Sequence, residues 1–295
     1  MTTRALVLGG GGPVGIAWEA GLLAGLARGD VDLGAADLIV GTSAGSFVGS
    51  QLAMGRKAED LAAAILAEAD RPRPASGGAA RPAPDVTWLF AKMQEARDGR
   101  RDPKAVRAEI GALALAAQTV GEDDFIRSFG RSLSELPDHA WPERGFACTA
   151  VDAETGEFLV WNAAAKVGLA RAVASSCSVP GIFPPITLDG RRYIDGGMRS
   201  ATNADVAHGH DLTVVVALRL AVATNPVAEA TRAQLDAELA VLREGGRRAE
   251  LILPDEASTA AFGPNLMDAS HRPAAARAGL AQGEAMAASL REAWC

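Results

Sequence analysis

Cysteine, histidine and aromatic residues are all scarce in this chain. Its 295 residues include three cysteines, four histidines and one tyrosine, and aromatics make up 5%. Cys148, Cys177 and Cys295 are too few and too scattered for a disulfide framework or a zinc site, so a reducing, cytoplasmic setting is expected. No stretch approaches the ~20 unbroken apolar residues of a membrane-spanning helix. The first apolar run, Arg4-Ala5-Leu6-Val7-Leu8, is short and leads straight into glycines, which argues against a signal peptide. A dominant basic surface is also lacking: the net charge is −7, and nucleic acid is not an expected partner. With 48% apolar and 22% charged residues the composition is that of a globular protein. The length fits one α/β unit spanning 1–295, with a loop and helical insertion at about 70–140.

Glycine, by contrast, is abundant, with 32 residues. The segment Leu38-Ile39-Val40-Gly41-Thr42-Ser43-Ala44-Gly45-Ser46 reads as an apolar strand, then Gly-x-Ser-x-Gly, then the start of a helix. A serine that attacks a carbonyl must project from a strained strand-to-helix turn. Gly41 and Gly45 keep Cβ atoms from clashing with the neighbouring strand and helix. The new helix aims the positive end of its dipole at the site. For a lone motif, the plain alternative is a tight turn with a helix-capping serine.

A second glycine cluster, Gly9-Gly10-Gly11-Gly12-Pro13-Val14-Gly15, follows the first predicted strand and precedes a helix-spaced run from Ile16 to Leu26. Bare N–H groups in such a loop suit either a phosphate or the oxyanion of an acyl-transfer intermediate. Gly10-x-Gly12-x-x-Gly15 has the dinucleotide spacing. That fingerprint also needs an acid closing the second strand, about 20 residues on. Here that strand ends in Gly41-Thr42-Ser43, and Asp30 and Asp32 lie in the polar connection before it. An oxyanion hole fits better.

The base is not an obvious histidine. His139 lies in a loop, His208 and His210 flank a glycine in a turn, and neither these nor His271 has a catalytic setting. Asp195 stands at the end of the short run Arg191-Arg192-Tyr193-Ile194, with Gly196 and Gly197 clearing space beside it. Partial desolvation and a direct hydrogen bond to the serine Oγ would make it competent as a base.

In this order, the glycine loop, Gly-x-Ser-x-Gly and Asp-Gly-Gly resemble the patatin-like phospholipase family. Ala174-Ser175-Ser176-Cys177-Ser178-Val179-Pro180-Gly181-Ile182-Phe183-Pro184-Pro185 looks like that family's Ser-x-x-x-Pro…Phe-Pro-Pro segment. Asn203 and the following strand, Leu212 to Leu218, are similar as well. The likeness runs over roughly residues 4 to 220. It implies a three-layer α/β/α fold with a mainly parallel central sheet. It also implies a serine–aspartate dyad in place of a triad, with no cofactor or metal. Ser43 would be the nucleophile, Asp195 the general base, and the Gly10, Gly11 and Gly12 amides the oxyanion hole. Gly15, Gly41, Gly45, Gly196 and Gly197 would support the motifs. The family commonly has Arg or Lys just before the last loop glycine; this chain has Val14, so a cation beside the loop is missing.

Along the chain, residues 4 to 69 read as strand, helix, strand, helix, the signature of a parallel sheet. Arg71 to Pro84 is a proline-rich loop, and Asp85 to about Leu136 is helical, lying over or beside the site. Strands follow at Phe146–Val151 and Glu157–Trp161, paired about a turn, then at Leu212–Leu218 and Ala249–Leu253. Helices at about Pro226–Glu244 and Pro273–Ala293 complete the shell. Nine basic residues (Arg71, Arg73, Arg81, Lys92, Arg97, Arg100, Arg101, Lys104, Arg107) against four acids (Asp85, Glu95, Asp98, Asp102) make residues 71 to 107 locally cationic. A solvated helix face is the preferred reading over an anion- or headgroup-steering surface. The expected activity is hydrolysis of carboxylic esters of lipids, of the phospholipase A or lipid esterase type, through an acyl-serine. Transient contact with a membrane surface is compatible with it. A non-catalytic acyl-binding protein and a nucleotide-dependent oxidoreductase are the competing classes.

Overall fold

Among the described residues, eight strands join in one sheet: β1 (Arg4–Leu8), β2 (Leu38–Gly41), β3 (Gly145–Asp152), β4 (Phe158–Trp161), β5 (Ile186–Leu188), β6 (Arg191–Asp195), β7 (Leu212–Val216) and β8 (Arg248–Ile252). The computed structural model describes residues 2–70, 87–97, 99–137, 140–218 and 226–294. The loop expected from Arg71 to Pro84, with His139 and Cys295, lies outside the described residues. The sheet order is β5-β6-β3-β2-β1-β7-β8, with β4 also on β3. From β3 to β8 the neighbours are parallel; β3–β4, β3–β6 and β5–β6 are antiparallel.

The helices are α1 (Gly12–Arg28), α2 (Ala44–Ala53), α3 (Ala58–Leu66), α4 (Thr87–Arg97), α5 (Pro103–Ala116), α6 (Glu122–Ser128), α7 (Arg131–Ser134), α8 (Leu169–Ser176), α9 (Pro226–Leu242), α10 (Glu256–Phe262) and α11 (Arg272–Trp294). Alternation along the central strands divides them into layers. Leu6 and Leu8 of β1 join the core shared with α1, α2 and α11, whereas Ala5 and Val7 face Leu235, Leu239 and Leu242 of α9. This is the expected three-layer α/β/α arrangement. With helices on both faces, β1 from Ala5 onward and all of β7 are continuously buried and mostly apolar.

A strand has two edges, and β3 uses this to build the site. Cys148 pairs with Gly41 and with Trp161, so β2 and β4 lie on opposite edges. Ala150 and Val151 pair with β4 and with β6, so β6 takes the edge that β2 has left. β6 therefore runs back toward the carboxyl end of β2 and delivers Asp195 there. The packing of α4 and α5 covers this overhang: Leu89, Met93, Val106 and Ile110 contact Val151, Ala153 and Ile194. α4 and α5 thus lie beside the region where β2 and β6 converge. β5 has no periodic signal, because three residues are too few to establish alternation.

Two features of α1 deserve measurement. It packs against α11 backbone to backbone: a Cβ on Gly25 would fall 2.2 Å from the Leu280 carbonyl oxygen, and one on Gly283 2.2 Å from that of Leu22. Gly283→Ala should therefore cost about 1–3 kcal/mol, read by urea unfolding. The second feature is Glu19, fully buried, with no hydrogen-bond partner for either carboxyl oxygen among the described residues. Burial pushes its pKa well above the ordinary carboxyl range. Below the unfolded-state pKa of about 4.3 both states are protonated and stability is at its full value. As the pH rises, only the unfolded state ionises, so stability falls by up to about 1.4 kcal/mol per pH unit until the folded pKa is reached. Glu19→Gln should remove that slope above about pH 5, as unfolding at several pH values will show. Parallel stability curves for the two proteins would contradict it.

Candidate active site

The strand β2 ends at Gly41, and α2 starts at Ala44; Ser43 between them has φ 53° and ψ −117°. The glycines of the motif are required by contact: a Cβ on Gly41 would lie 2.3 Å from Ser46 Cα, and one on Gly45 2.1 Å from the Leu8 carbonyl oxygen. A non-glycine residue in this conformation stores of order 1–3 kcal/mol of strain, so its surroundings must hold it. They do so from α8. The Ser43 N–H donates to Ser176 Oγ (3.1 Å), and the Ser43 carbonyl accepts from Ser46 Oγ (2.6 Å) and Cys177 Sγ (3.1 Å). Burial drives the Cys177 thiol pKa far upward and keeps it protonated as a donor. Cys177 thus braces the turn from behind.

Asp195 closes β6 and is buried. Its N–H donates to the Ser178 carbonyl (3.1 Å), and its Oδ1 accepts from Gly197 N–H (2.7 Å), capping the turn that follows. Gly196 lies against β3, where a Cβ would come 2.2 Å from Thr149 Oγ1.

In the glycine loop one expectation needs correction. Gly10 donates its N–H to the Ala201 carbonyl (2.8 Å), so that amide is already engaged. The backbone is drawn there because β1 continues, through Gly9 N–H to the Val216 carbonyl (3.0 Å), into contact with the 200s segment. Gly10 nevertheless adjoins the serine: a Cβ on it would stand 3.4 Å from Ser43 Cβ. Among the described residues the Gly11 and Gly12 amides have no acceptor, and they sit at the positive end of the α1 dipole. Gly12 has φ +60° and lies under the 264–267 segment, where a Cβ would be 2.8 Å from Met267 Sδ. Gly15 packs closely against Leu218 and Ala44. The Val14 side chain is fully buried in the core and does not line the cavity.

Gly10, Gly11, Gly12, Ser43 and Asp195 all border one cavity of about 370 Å³. The remaining walls are mostly apolar: Leu89 and Met93 from α4, Val179 and Ile182 after α8, Met198, Leu266 and Met267. The three described histidines lie elsewhere. His208 Nε2 is 3.5 Å from Glu244, His210 Nδ1 is 2.9 Å from the Ala207 carbonyl oxygen, and His271 Nε2 is 3.8 Å from Asp268. The described residues contain no group of three or more His, Cys, Asp or Glu side chains arranged to hold a metal ion.

A set of polar residues behind the cavity ties its parts together. Asn203, fully buried and left-handed at φ 49°, points Nδ2 at Ser200 O (2.8 Å), Thr42 Oγ1 (3.1 Å), Gly196 O (3.2 Å) and Thr149 Oγ1 (3.3 Å). Thr42 and Thr149 are also 2.8 Å apart through their hydroxyls. Of these, Asn203 was visible in the sequence as a family-like position. Thr42, just past β2, and Thr149, inside β3, carried only the weak signal of hydroxyls in apolar surroundings, and Leu266 and Met267 carried none.

The strain at Ser43 can be tested without any substrate. Ser43→Gly and Ser43→Ala both remove the hydroxyl, but only alanine keeps the Cβ that resents this backbone. The glycine variant should be more stable than the alanine variant by about 1 kcal/mol in urea unfolding, despite glycine's larger unfolded-state entropy.

The chain also resembles known proteins. A solved structure of VipD from Legionella pneumophila resembles the chain with a TM-score of 0.47 and 15% identity, over 98% of this chain and 67% of that one. The type III effector protein ExoU resembles it with a TM-score of 0.42 and 14% identity; the match takes in 98% of this chain but only 53% of ExoU. The family model described as Patatin-like phospholipase matches residues 6–208. Since that match takes in well over half of the chain, the chain belongs to the patatin-like phospholipase family and is a hydrolase of lipid esters.

Proposed function

We propose that the cavity beside Ser43 cleaves carboxylic esters of lipids through an acyl-serine, with Asp195 as general base and the Gly11 and Gly12 amides as oxyanion donors. One observation carries the reading: side chains from β2's end and β6's end, with the free amides of the glycine loop, border a single apolar cavity. An apolar wall suits an acyl chain, and the few polar groups converge at one place.

In this mechanism Asp195 takes the proton from the Ser43 hydroxyl as Oγ bonds to the acyl carbon. The carbonyl electron pair moves onto oxygen, which the Gly11 and Gly12 N–H groups receive. As the tetrahedral centre collapses, the alkoxide leaves and takes the proton back from Asp195. Water then attacks the acyl-serine, giving its proton to Asp195, and Ser43 departs with that proton as the acid is released. The buried proposed base has no need of a histidine relay. We read the whole chain as one catalytic unit, because the cavity draws on residues from Gly10 to Met267. A reducing cytoplasm is the proposed location, in keeping with the free, buried thiols of Cys148 and Cys177. Any contact with a membrane surface is proposed to be transient.

The test uses a fluorophosphonate probe and p-nitrophenyl esters of graded acyl length. Wild type should be labelled on Ser43 and should hydrolyse the esters; Ser43→Ala should do neither. Asp195→Asn keeps an acceptor for Gly197 N–H but is a far weaker base, and kcat should fall by about 10²–10⁴-fold. Unchanged hydrolysis in either variant would refute the mechanism. Lack of labelling in wild type would point to a lipid-binding protein without catalysis.

A further inference from the structure

Helix α9 packs on the face of the sheet opposite α1 and α2, yet it reaches the site through polar groups. Glu238 on α9 is buried and brings a carboxylate to the segment that follows Asp195. Its Oε2 accepts from the Thr202 hydroxyl (2.6 Å) and from the Ala204 N–H (2.8 Å), the residues on either side of Asn203. One turn earlier on the same helix, Gln234 donates from Nε2 to the Arg199 carbonyl (2.8 Å). A buried carboxylate is costly unless it is bonded, and bonds to an ionised acceptor are roughly twice as strong as neutral ones. Glu238 is therefore a stiff anchor that grips both neighbours of the left-handed residue.

The anchored turn faces the site with three separate contacts. The Ala201 carbonyl accepts from Gly10 N–H (2.8 Å), and the Thr202 carbonyl accepts from the Thr42 hydroxyl (3.3 Å). The Asn203 amide lies between Thr42 Oγ1 (3.1 Å) and the Gly196 carbonyl (3.2 Å). Residues 201 to 203 thus touch the glycine loop, the elbow and the turn after Asp195 in succession. Ser200 Oγ closes the turn from within, accepting from the N–H groups of Thr202 and Asn203 (3.2 Å each). Because the peptide units on both sides of Asn203 are rigid planes, a rotation of the turn would move all three contacts together. The two bonds to one Glu238 oxygen oppose that rotation from the far side of the turn.

We propose that Glu238 is a positioning residue for ester hydrolysis at Ser43, acting through the 201–204 turn to set the glycine loop against the elbow. The carboxylate does not line the cavity, so it acts on the chemical step and not on the fit of the acyl chain. The walls that would hold that chain, Leu89, Met93, Val179 and Ile182, come from other elements. Misplacing a reacting group by about 1 Å can cost about 10²-fold in rate, so a small swing of this turn would be felt in kcat. The proposal rests on the serine-hydrolase reading of the cavity and adds to it a residue from the opposite face of the sheet.

The experiment uses three variants of α9 with p-nitrophenyl butyrate as substrate. Glu238→Leu fills the space without offering an acceptor, and kcat should fall by about 10- to 100-fold while KM stays within about twofold. Glu238→Gln keeps one oxygen for both donors and should restore kcat to within about threefold of wild type. Leu239→Ala loosens the core packing of the same helix; it should lower the melting temperature and leave kcat unchanged. Thr202→Val deletes one of the two bonds at nearly constant volume, and it carries the same test, with a smaller loss of kcat, where the leucine variant does not fold. A second readout needs no substrate. By NMR, the Gly10 amide of Glu238→Leu should exchange its hydrogen about 10- to 100-fold faster, while Leu6 and Val7 in β1 keep wild-type protection. No rescue by glutamine, a loss carried by KM, an equal loss of kcat in Leu239→Ala, or unchanged Gly10 exchange would overturn the positioning role. Faster Gly10 exchange in a protein whose wild type cleaves no ester would sink only the catalytic reading. Wild-type hydrolysis that Glu238→Leu leaves intact would sink only the role of Glu238.

Discussion

The buried amide of Asn203 joins the backbone segments that carry the proposed reacting groups. Its Nδ2 sits among acceptors from the elbow (Thr42), from β3 (Thr149), from the turn after Asp195 (Gly196) and from Ser200. In an interior of low dielectric such a network is stable only when its members are satisfied together, so it fixes their relative positions as a unit. A left-handed backbone at φ 49° is what turns the amide inward, and asparagine tolerates that conformation better than most side chains. Arg199, bonded to Asn203 Oδ1 and to Asp205, holds the other side of the amide. The same arginine borders a neighbouring cavity, so the brace behind the site also forms a wall of that space.

The change from parallel to antiparallel pairing gives that network something to join. Parallel strands bring β1 and β2 to one end of the sheet, each followed by a helix whose dipole is positive there. An acid arriving on another parallel strand would need a further crossover helix. Instead β3 extends beyond β2, and β6 returns along the vacated edge to meet it. The antiparallel half of the sheet is thus what brings the carboxylate of Asp195 to the elbow's end of the sheet.

Apolar surface and polar groups divide the cavity's tasks. Close glycine contacts let backbone, not side chains, approach Ser43, and this leaves amides available where side chains would block them. The apolar walls come from α4, from Val179 and Ile182 after α8, from Met198 and from the 264–267 segment, which also accepts Val14 N–H through the Leu266 carbonyl (3.2 Å). Val14, where a basic residue is common in the family, lies within the core and contributes nothing to the cavity surface. Polarity in the region is therefore concentrated at the elbow, at Asp195 and at Arg199 next door.

Much of the fold was legible because it rests on local rules. Apolar runs such as Leu6 to Leu8 and Val214 to Val216 signalled buried parallel strands, and helical spacing signalled α1 and α11. The motif glycines at Gly41 and Gly45 could be read as steric necessities, and the structure shows the contacts that make them so. The β5 strand was too short to show a period, and the 264–267 roof has no local signature. In sequence the Gly10 amide is no different from its neighbours, and its acceptor, Ala201, lies about two thirds of the chain away. Element types, the elbow and the residues chemically able to react can be read along the chain, since backbone sterics and periodicity act over a few positions. Which loop amides lack an acceptor among the described residues, and which edge of β3 receives Asp195, follow from the fold, because each depends on groups that the chain brings together from afar.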